Sequence, residues 1–236
     1  MLKILALLFM VIDHTALALL PTSSPLYLIC RLIGRLSMPI FAYKIALGFI
    51  HTKNIKSYAY KIFMMTLWAQ IPFILLENNS QFFRILKDTK GIILIDHWNI
   101  GLTFLCALGL LYLLTNFTRE NALVSSILIG LLTILSTFAD YGLYGVGMIL
   151  LFYVFIQHKH GVLLSMMSLA TLTICYYLIT MPGVAAYMIS MQLPAILAVP
   201  LIHYVPDHKT KLGKHFFYIF YPVHMLIIGI ISYSLQ

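Results

Sequence analysis

Charged residues are scarce in this sequence. Only 9% of its 236 residues are Asp, Glu, Lys or Arg, whereas 61% are hydrophobic. A water-soluble domain carries about 25% charged residues, so this chain has too little polar surface to cover a globule in water. The composition excludes an ordinary soluble enzyme and indicates a protein whose natural solvent is the lipid bilayer.

Cysteine and the motifs of several enzyme classes are also nearly absent. Cys30, Cys106 and Cys175 lie singly inside apolar runs, without the spacing of a disulfide framework or a zinc site. The sequence has no phosphate-cradling glycine loop, no nucleophile elbow and no zinc-protease histidine pair. We therefore expect no metal and no cofactor that depends on those motifs.

The sequence does contain many apolar runs of about 20 residues, the length that spans a bilayer. Nine are predicted, at 2–20, 31–50, 57–76, 98–115, 121–138, 141–157, 161–180, 183–204 and 215–235. No cleavage site follows the first run, so we expect a retained helix there instead of a removed signal peptide. With no repeat or linker between the runs, the prediction is one all-α transmembrane domain over residues 1–236.

The basic residues predict the orientation of these helices. Lys and Arg exceed Asp and Glu by eight. They fall mostly in alternate loops, whereas the loops at 21–25, 139–140 and 181–182 have none and the basic residues of 77–97 are balanced by acidic ones. By the positive-inside rule, this predicts nine spans with the N-terminus in the cytoplasm and the C-terminus outside. Because the basic excess is explained by topology, we expect no nucleic-acid partner.

Two adjacent ionisable residues, Asp13 and His14, stand within the first run. A charge at bilayer depth costs at least about 2.5–3.5 kcal/mol on insertion scales, so residues kept there generally have a role. Both lie roughly 17 Å from the inner end of the helix, just beyond the midplane. One hypothesis is that His14 is a general base and Asp13 orients its imidazole. The alternative is a hydrogen bond between helices that only stabilises packing.

Arg31 and Arg35 are four residues apart and share a helix face, and Pro39 follows at the same spacing. Because Arg31 and Arg35 interrupt the second run, we expect it to begin with an interfacial helix at 27–36. Two guanidinium groups on one stripe suit the binding of an anion or of a developing oxyanion. A pair of side chains that only extend to the membrane interface is the alternative.

Other polar residues in the apolar runs suit either a site or packing. His224 is predicted near the midplane of the last run, after Tyr221 and Pro222, and the proline frees a nearby carbonyl. Asp140 and Tyr141 form a short outer turn before a set of glycines that permit close helix approach. In the fourth run, Asn99 shares a face with Thr103, and binding and packing are equally open there.

Basic clusters are predicted at the inner surface. Lys53 lies between the second and third runs, and Lys214 lies before the last. Membrane orientation and attraction to anionic lipid explain such clusters. The functional alternative is a cytoplasmic cosubstrate that carries phosphate.

The segments that hold these residues resemble the TraX family, membrane proteins known for N-terminal acetylation of conjugative pilin. The resembling blocks are LKILALLFMVIDH, RLIGRLSMPIFAYKIALGFIHTKN, YAYKIFMMTLWAQIPF, DYGLYGVGMILLFY and HFFYIFYPVHMLII. They follow in order over most of the chain, whereas 77–97 and 157–210 carry little of the resemblance. Lys61 stands where the family pattern leads us to expect Arg.

The resemblance implies acyl transfer with acetyl-CoA as donor, and kinship with the wider transmembrane acyltransferases. On that analogy His14 is the base or a transient acyl carrier, and Asp13 is its orienting partner. The resemblance also implies the residues that complete the pocket: Arg31, Arg35, Asp140, Tyr221 and His224.

The expected function is acetyl transfer from cytosolic acetyl-CoA to an acceptor at the bacterial inner membrane. The acceptor is the N-terminal amine of a pilin, another membrane peptide or a glycan. The expected catalytic residues are Asp13, His14, Arg35 and His224. The expected binding residues are Arg31, Lys53, Asn99, Asp140, Tyr141, Tyr221 and Lys214. A proton-coupled transporter and a non-catalytic membrane scaffold remain open as alternatives.

Overall fold

The computed structural model describes residues 1–78, 87–88, 96–158, 161–206, 213 and 215–235. Over these ranges the regular structure is helical, apart from one isolated bridge between Trp98 and Ala139. The helices are α1 (Leu2–Leu19), α2 (Pro25–Gly34), α3 (Ser37–His51), α4 (Ile55–Asn78), α5 (Ile100–Thr115), α6 (Ala122–Ser136), α7 (Gly142–His158), α8 (Val162–Thr180), α9 (Ala185–Gln192), α10 (Ala198–Tyr204) and α11 (Phe216–Ser234).

Six segments of the described chain are long and apolar enough to cross a membrane. They are Leu2–Leu19, Pro25–His51, Ile55–Asn78, Val162–Thr180, Pro182–Tyr204 and Phe216–Ser234. The apolar helices α5, α6 and α7 are shorter, with 16, 15 and 17 residues. The prediction of an all-α, multi-pass membrane bundle is confirmed. The number of nine spans and the cytoplasmic N-terminus stay predictions.

Two of the predicted runs are broken helices. The run at 31–50 is divided between α2 and α3, which are separated at Arg35 and Leu36. Pro39 lies in the first turn of α3, where its missing N–H costs nothing, and a helix continuing through it would lose a hydrogen bond. The run at 183–204 is divided by a 3₁₀ turn, Leu193–Leu197, which contains Pro194.

The core lies around α5, and the apolar outer surface suits lipid. α5 packs against α4, α6 and α7, while α1 packs against α2, α3 and α11. On α6, by contrast, Leu123, Ile127, Leu131 and Ile134 repeat at helical spacing and are 54–76% exposed. Such an exposed apolar stripe on a helix is stable against acyl chains and unfavourable in water.

The three short helices meet at an internal junction between α5, α6 and α7. The N–H of Trp98 donates to Phe138 O at 2.8 Å, and the N–H of Asp140 donates to Trp98 O at 2.7 Å. Asn99 and Ala139 are buried at this point. Irregular backbone in a membrane protein is tolerated where protein encloses it and meets its hydrogen bonds, as its burial and hydrogen bonds show here. The junction forms one wall of the cavity described next.

Candidate functional site

A cavity of about 720 Å³ lies between α1, α2, α3, α4 and α11. It is the place where most of the residues singled out in the sequence come together. Those that line it are Asp13, His14, Arg31, Arg35, Asp140, Tyr141 and Tyr221. They come from α1, α2, the α2–α3 junction, the α6–α7 turn and α11.

Asp13 forms ion pairs with the two arginines. Arg31 Nη1 donates to Asp13 Oδ2 at 2.7 Å, and Arg35 Nη2 lies 3.8 Å from Asp13 Oδ1. The side chains of the Asp13–Arg31 pair are only 14% and 19% exposed, so the pair is largely removed from water. The predicted shared face of Arg31 and Arg35 is therefore present, and it holds a carboxylate of the protein itself.

Glycine permits this close contact between α1 and α2. A Cβ added at Gly34 would lie less than 3.0 Å from side-chain atoms of Asp13. Gly34 is buried and stands between the two arginines in sequence. The absence of a side chain at this one position lets the Asp13 carboxylate reach both guanidinium groups.

His14 is oriented by His224, which differs from the expected pairing with Asp13. His14 Nδ1 lies 2.8 Å from His224 Nε2, and the two rings are stacked with centroids 5.0 Å apart. Successive residues of a helix point about 100° apart, so Asp13 faces α2 while His14 faces α11. The role expected of Asp13 as the partner of the imidazole belongs to His224.

The backbone of α11 determines the tautomers of this pair. His224 Nδ1 lies 2.9 Å from the carbonyl oxygen of Phe220, which only accepts hydrogen bonds, so Nδ1 of His224 carries a proton. In the neutral ring Nε2 of His224 is then an acceptor, and His14 Nδ1 is the donor to it. His14 Nε2 is left with a free lone pair, and no described residue hydrogen-bonds to it. His14, which lines the cavity, can therefore act there as a base through Nε2.

His224 itself is behind the cavity wall. Its side chain is 6% exposed and does not line the cavity. The structure thus places His224 in contact with His14 and away from any molecule in the cavity. We describe it as a positioning residue, and the sequence-based hypothesis of a directly catalytic His224 changes accordingly.

The α6–α7 turn delivers Tyr141 to Arg35. Arg35 Nη1 donates to the Tyr141 hydroxyl at 3.0 Å. Tyr141 has a φ of 61°, an unfavourable region for a residue with a side chain, and such strain persists only where its surroundings impose it. The Thr103 hydroxyl donates to Asp140 O and helps to impose it. Arg35 Nε is buried without a hydrogen-bond partner among the described residues.

Tyr221 completes the wall opposite α2. Its ring lies 5.8 Å from the ring of His224. Tyr221 therefore lines the cavity beside His224, and its role in substrate binding stays a prediction.

Asn99 has a structural task that leaves it no free polar atom. It is 0% exposed, and its side-chain oxygen Oδ1 caps α5 by accepting a hydrogen bond from Gly101 N at 3.0 Å. Its amide donates to Thr66 O and to Gln70 Oε1, each at 2.8 Å. The prediction that Asn99 binds substrate is therefore corrected to a buried helix cap that joins α5 to α4.

The two lysines expected at the inner surface are not part of the described cavity. Lys53 is exposed in the turn after α3 and does not line it. Lys214 lies outside the described residues. The lysines that do line the cavity are Lys3, Lys44 and Lys61. Sequence analysis did not group them, because each stands alone in a different run and only helix packing brings them together.

Glu77 is a further lining residue that sequence analysis did not include among the candidates. It lies in the last turn of α4, and its carboxylate is 3.9 Å from His97 Nε2. Among the described residues no group of His, Cys, Asp and Glu is arranged to hold a metal ion. The chemistry of the cavity is that of bases, cations and carboxylates.

Comparison with known proteins identifies the family of this chain. One curated relative is the probable fimbrial assembly protein FimC, serogroup H1, of Dichelobacter nodosus, 27% identical over 244 residues, which cover 96% of this chain and 92% of the relative. No solved structure matches the chain. The family model of the TraX protein matches residues 1–232, and the chain therefore belongs to the TraX family.

Proposed function

We propose that this protein is an acetyltransferase of the bacterial inner membrane that moves an acetyl group from cytosolic acetyl-CoA to an acceptor. The observation that carries the proposal is the His14–His224–Phe220 chain of contacts, which leaves His14 Nε2 as an unprotonated base in a large cavity. A histidine used only for packing needs no such exposed lone pair.

The proposed reaction is direct transfer. The acceptor nucleophile attacks the thioester carbonyl carbon, a new bond to carbon forms, and the carbon–sulfur bond breaks with its electron pair leaving on sulfur. His14 Nε2 takes the proton that the nucleophile loses and returns it to the sulfur, so the products are the acetylated acceptor and free CoA. His224 stabilises the charged His14 ring through the bond at Nδ1.

Arg35 is suited to the negative charge that develops on the carbonyl oxygen. Its Nη1 is held by Tyr141 and its Nη2 by the weaker contact to Asp13. Because these contacts fix the guanidinium before substrate arrives, its charge costs no reorganisation during the reaction. Asp13 keeps both arginines in place without reaching the reacting atoms.

The two ends of the cavity suit different substrates. Glu77 and Asp140 line it near the outer ends of α4 and α6, where carboxylates attract an ammonium group. An amine is therefore the acceptor that the charges favour. The fimbrial assembly named for the relative from Dichelobacter nodosus makes a pilin or similar membrane peptide the natural class to test.

Binding of the donor separates this proposal from a carrier or a scaffold. Acetyl-CoA and CoA are expected to raise the unfolding midpoint of the detergent-solubilised protein, because a ligand that binds only the native state stabilises it. In addition, membranes of cells with the protein should contain an acetylated product that cells without it lack. Stabilisation absent at millimolar CoA, together with identical products in the two cell types, would refute the proposal.

A further inference from the structure

Three lysines from three helices stand at one level of the cavity. Gly48 on α3 packs against the Tyr58 ring on α4, so the α3–α4 hairpin is in register at that pair. Lys44 is four residues before Gly48 on α3, and Lys61 is three residues after Tyr58 on α4, so the two lysines lie opposite each other. Asp13 packs against Gly34 in the same way, which brings Lys3 to the level of Lys44 because α1 runs antiparallel to α2 and α3. All three side chains line the cavity.

These lysines are half-buried beside aromatic groups. Lys3 Nζ lies 5.0 Å from the centre of the Phe217 ring, and Lys44 Nζ lies 5.1 Å from that of Tyr43. Lys61 has no ion-pair partner among the described residues. The described carboxylates that line the cavity are elsewhere: Asp13 is at the arginines, Glu77 is near the end of α4, and Asp140 is in the α6–α7 turn.

Three ammonium groups that line one end of a cavity make that end attractive to an anion. The hydroxyls of Tyr58 and Tyr218 line the same end and can donate to an anion as well. Multivalent phosphate is the anion that such a set of donors binds best.

The separation from the base fits a long donor. Lys3 and His14 stand on the same helix, eleven residues apart, which is about 16 Å at the rise of an α-helix. That is comparable to an extended pantetheine arm with its phosphates at one end and its thioester at the other. We infer that Lys3, Lys44 and Lys61 form a phosphate subsite that selects a phosphorylated acyl donor, an inference that rests on the proposed acetyl transfer.

Lys61→Met tests the subsite, with Lys56→Met as its matched control. Lys56 is an exposed lysine on the same helix and does not line the cavity. With acetyl-CoA as donor we expect Lys61→Met to raise KM about tenfold or more, the effect of one charge-assisted contact. With the uncharged acetyl thioester of N-acetylcysteamine, Lys61→Met should match the wild type within twofold. Lys56→Met should match it with both donors.

Two outcomes of this comparison overturn the inference. If Lys61→Met lowers the transfer rate equally with both donors, Lys61 supports the fold and does not bind phosphate. If it slows neither, the donor phosphates lie elsewhere. Both results leave the proposed acetyl transfer intact, because the wild type would still use acetyl-CoA.

A binding measurement covers the case in which no acetyl transfer is detected. CoA should raise the unfolding midpoint of the wild type and of Lys56→Met, whereas pantetheine, which lacks phosphate, should not. Lys61→Met should lose most of the CoA effect. Equal stabilisation of Lys61→Met and wild type by CoA overturns the inference, whether or not transfer occurs.

A lipid headgroup is the other source of phosphate, and lipid composition distinguishes it. In nanodiscs of zwitterionic lipid only, the subsite should still respond to CoA as in detergent. If anionic lipid abolishes the CoA effect and itself stabilises the wild type but not Lys61→Met, the lysines bind lipid and the donor inference is overturned.

Discussion

At the scale of single residues, the site depends on which neighbour each polar side chain faces. Asp13 and His14 are consecutive, yet Asp13 contacts Arg31 and His14 contacts His224. The proton positions follow from the Phe220 carbonyl, an acceptor only, at the end of this chain of contacts. One backbone atom of α11 thereby sets the basic nitrogen on α1.

Replacement of His224 tests whether the contact from Phe220 O through His224 determines which nitrogen of His14 is basic. In His224→Leu the His14 ring loses its acceptor, and we expect kcat to fall about tenfold to a hundredfold with little change in KM for acetyl-CoA. His224→Gln offers an amide oxygen to His14 and an amide N–H to Phe220 O, so it should recover much of kcat. A Gln variant as slow as the Leu variant, with both folded, would show that the histidine pair has no such orienting role.

The residue types and depths were predictable from sequence, but their pairings were not. Composition and run length located Asp13, His14, Arg31, Arg35 and Tyr221 in apolar segments, where ionisable or polar groups need a reason. Their partners depend on helix rotation and on the approach that Gly34 allows, and no pattern in a single run records either. Asn99 could not be assigned from sequence, because a buried helix cap and a substrate-binding asparagine look alike there. Only its hydrogen bonds distinguish the two roles.

At the scale of helices, breaks and close approaches place the polar groups. The interruption between α2 and α3 lets Arg35 stand at the end of α2. The short helix α6 ends, and α5 and α7 begin, where Asp140 and Tyr141 enter the cavity wall. The prolines at 39 and 194 made the breaks predictable. The shortness of α5, α6 and α7 was predictable as well, because polar residues bound the runs at 98–115, 121–138 and 141–157.

The contact between α1 and α2 gives a prediction about stability. Gly34→Ala adds a methyl group where Asp13 already lies, so we expect a loss of about 1–3 kcal/mol, the usual cost of overpacking. The matched control is Gly130→Ala on α6, where an added Cβ meets nothing within 4 Å. That variant should be as stable as the wild type or slightly more, since Ala is the better helix former.

Thermal unfolding in detergent measures both glycine variants. The midpoint should drop by several degrees for Gly34→Ala and stay level or rise for Gly130→Ala. Equal midpoints for the two variants would mean that α1 and α2 do not approach each other as closely as described.

At the scale of the whole molecule, the lysines and the carboxylate of Glu77 lie at different ends of the cavity. The lysines stand at the end where α4 and α11 begin, and Glu77 stands where α4 ends. In the proposed reaction and with the predicted orientation, the lysine end would face the cytoplasmic donor and the Glu77 end would face an acceptor outside. The membrane would then separate the two substrates until they meet near His14.

Reporter fusions test that orientation. A phosphatase that is active only outside the cytoplasm is expected to be active at the C-terminus and inactive when inserted near Arg119, in the turn after α5. The reason is that nine spans with the N-terminus inside place these points on opposite sides. A C-terminal phosphatase without activity, in a fusion that is stably expressed, would exclude the odd number of spans.

The proposed role of His14 as the proton acceptor of an acetyl transfer can be measured with the purified protein. Purified protein is given radiolabelled acetyl-CoA and membranes of cells that lack it, and label in the acceptor fraction is followed over time. His203, exposed at the end of α10, supplies the control variant His203→Ala. We predict that His203→Ala matches the wild type and that His14→Ala is slower by about a hundredfold or more. Transfer by folded His14→Ala at the wild-type rate would contradict the account.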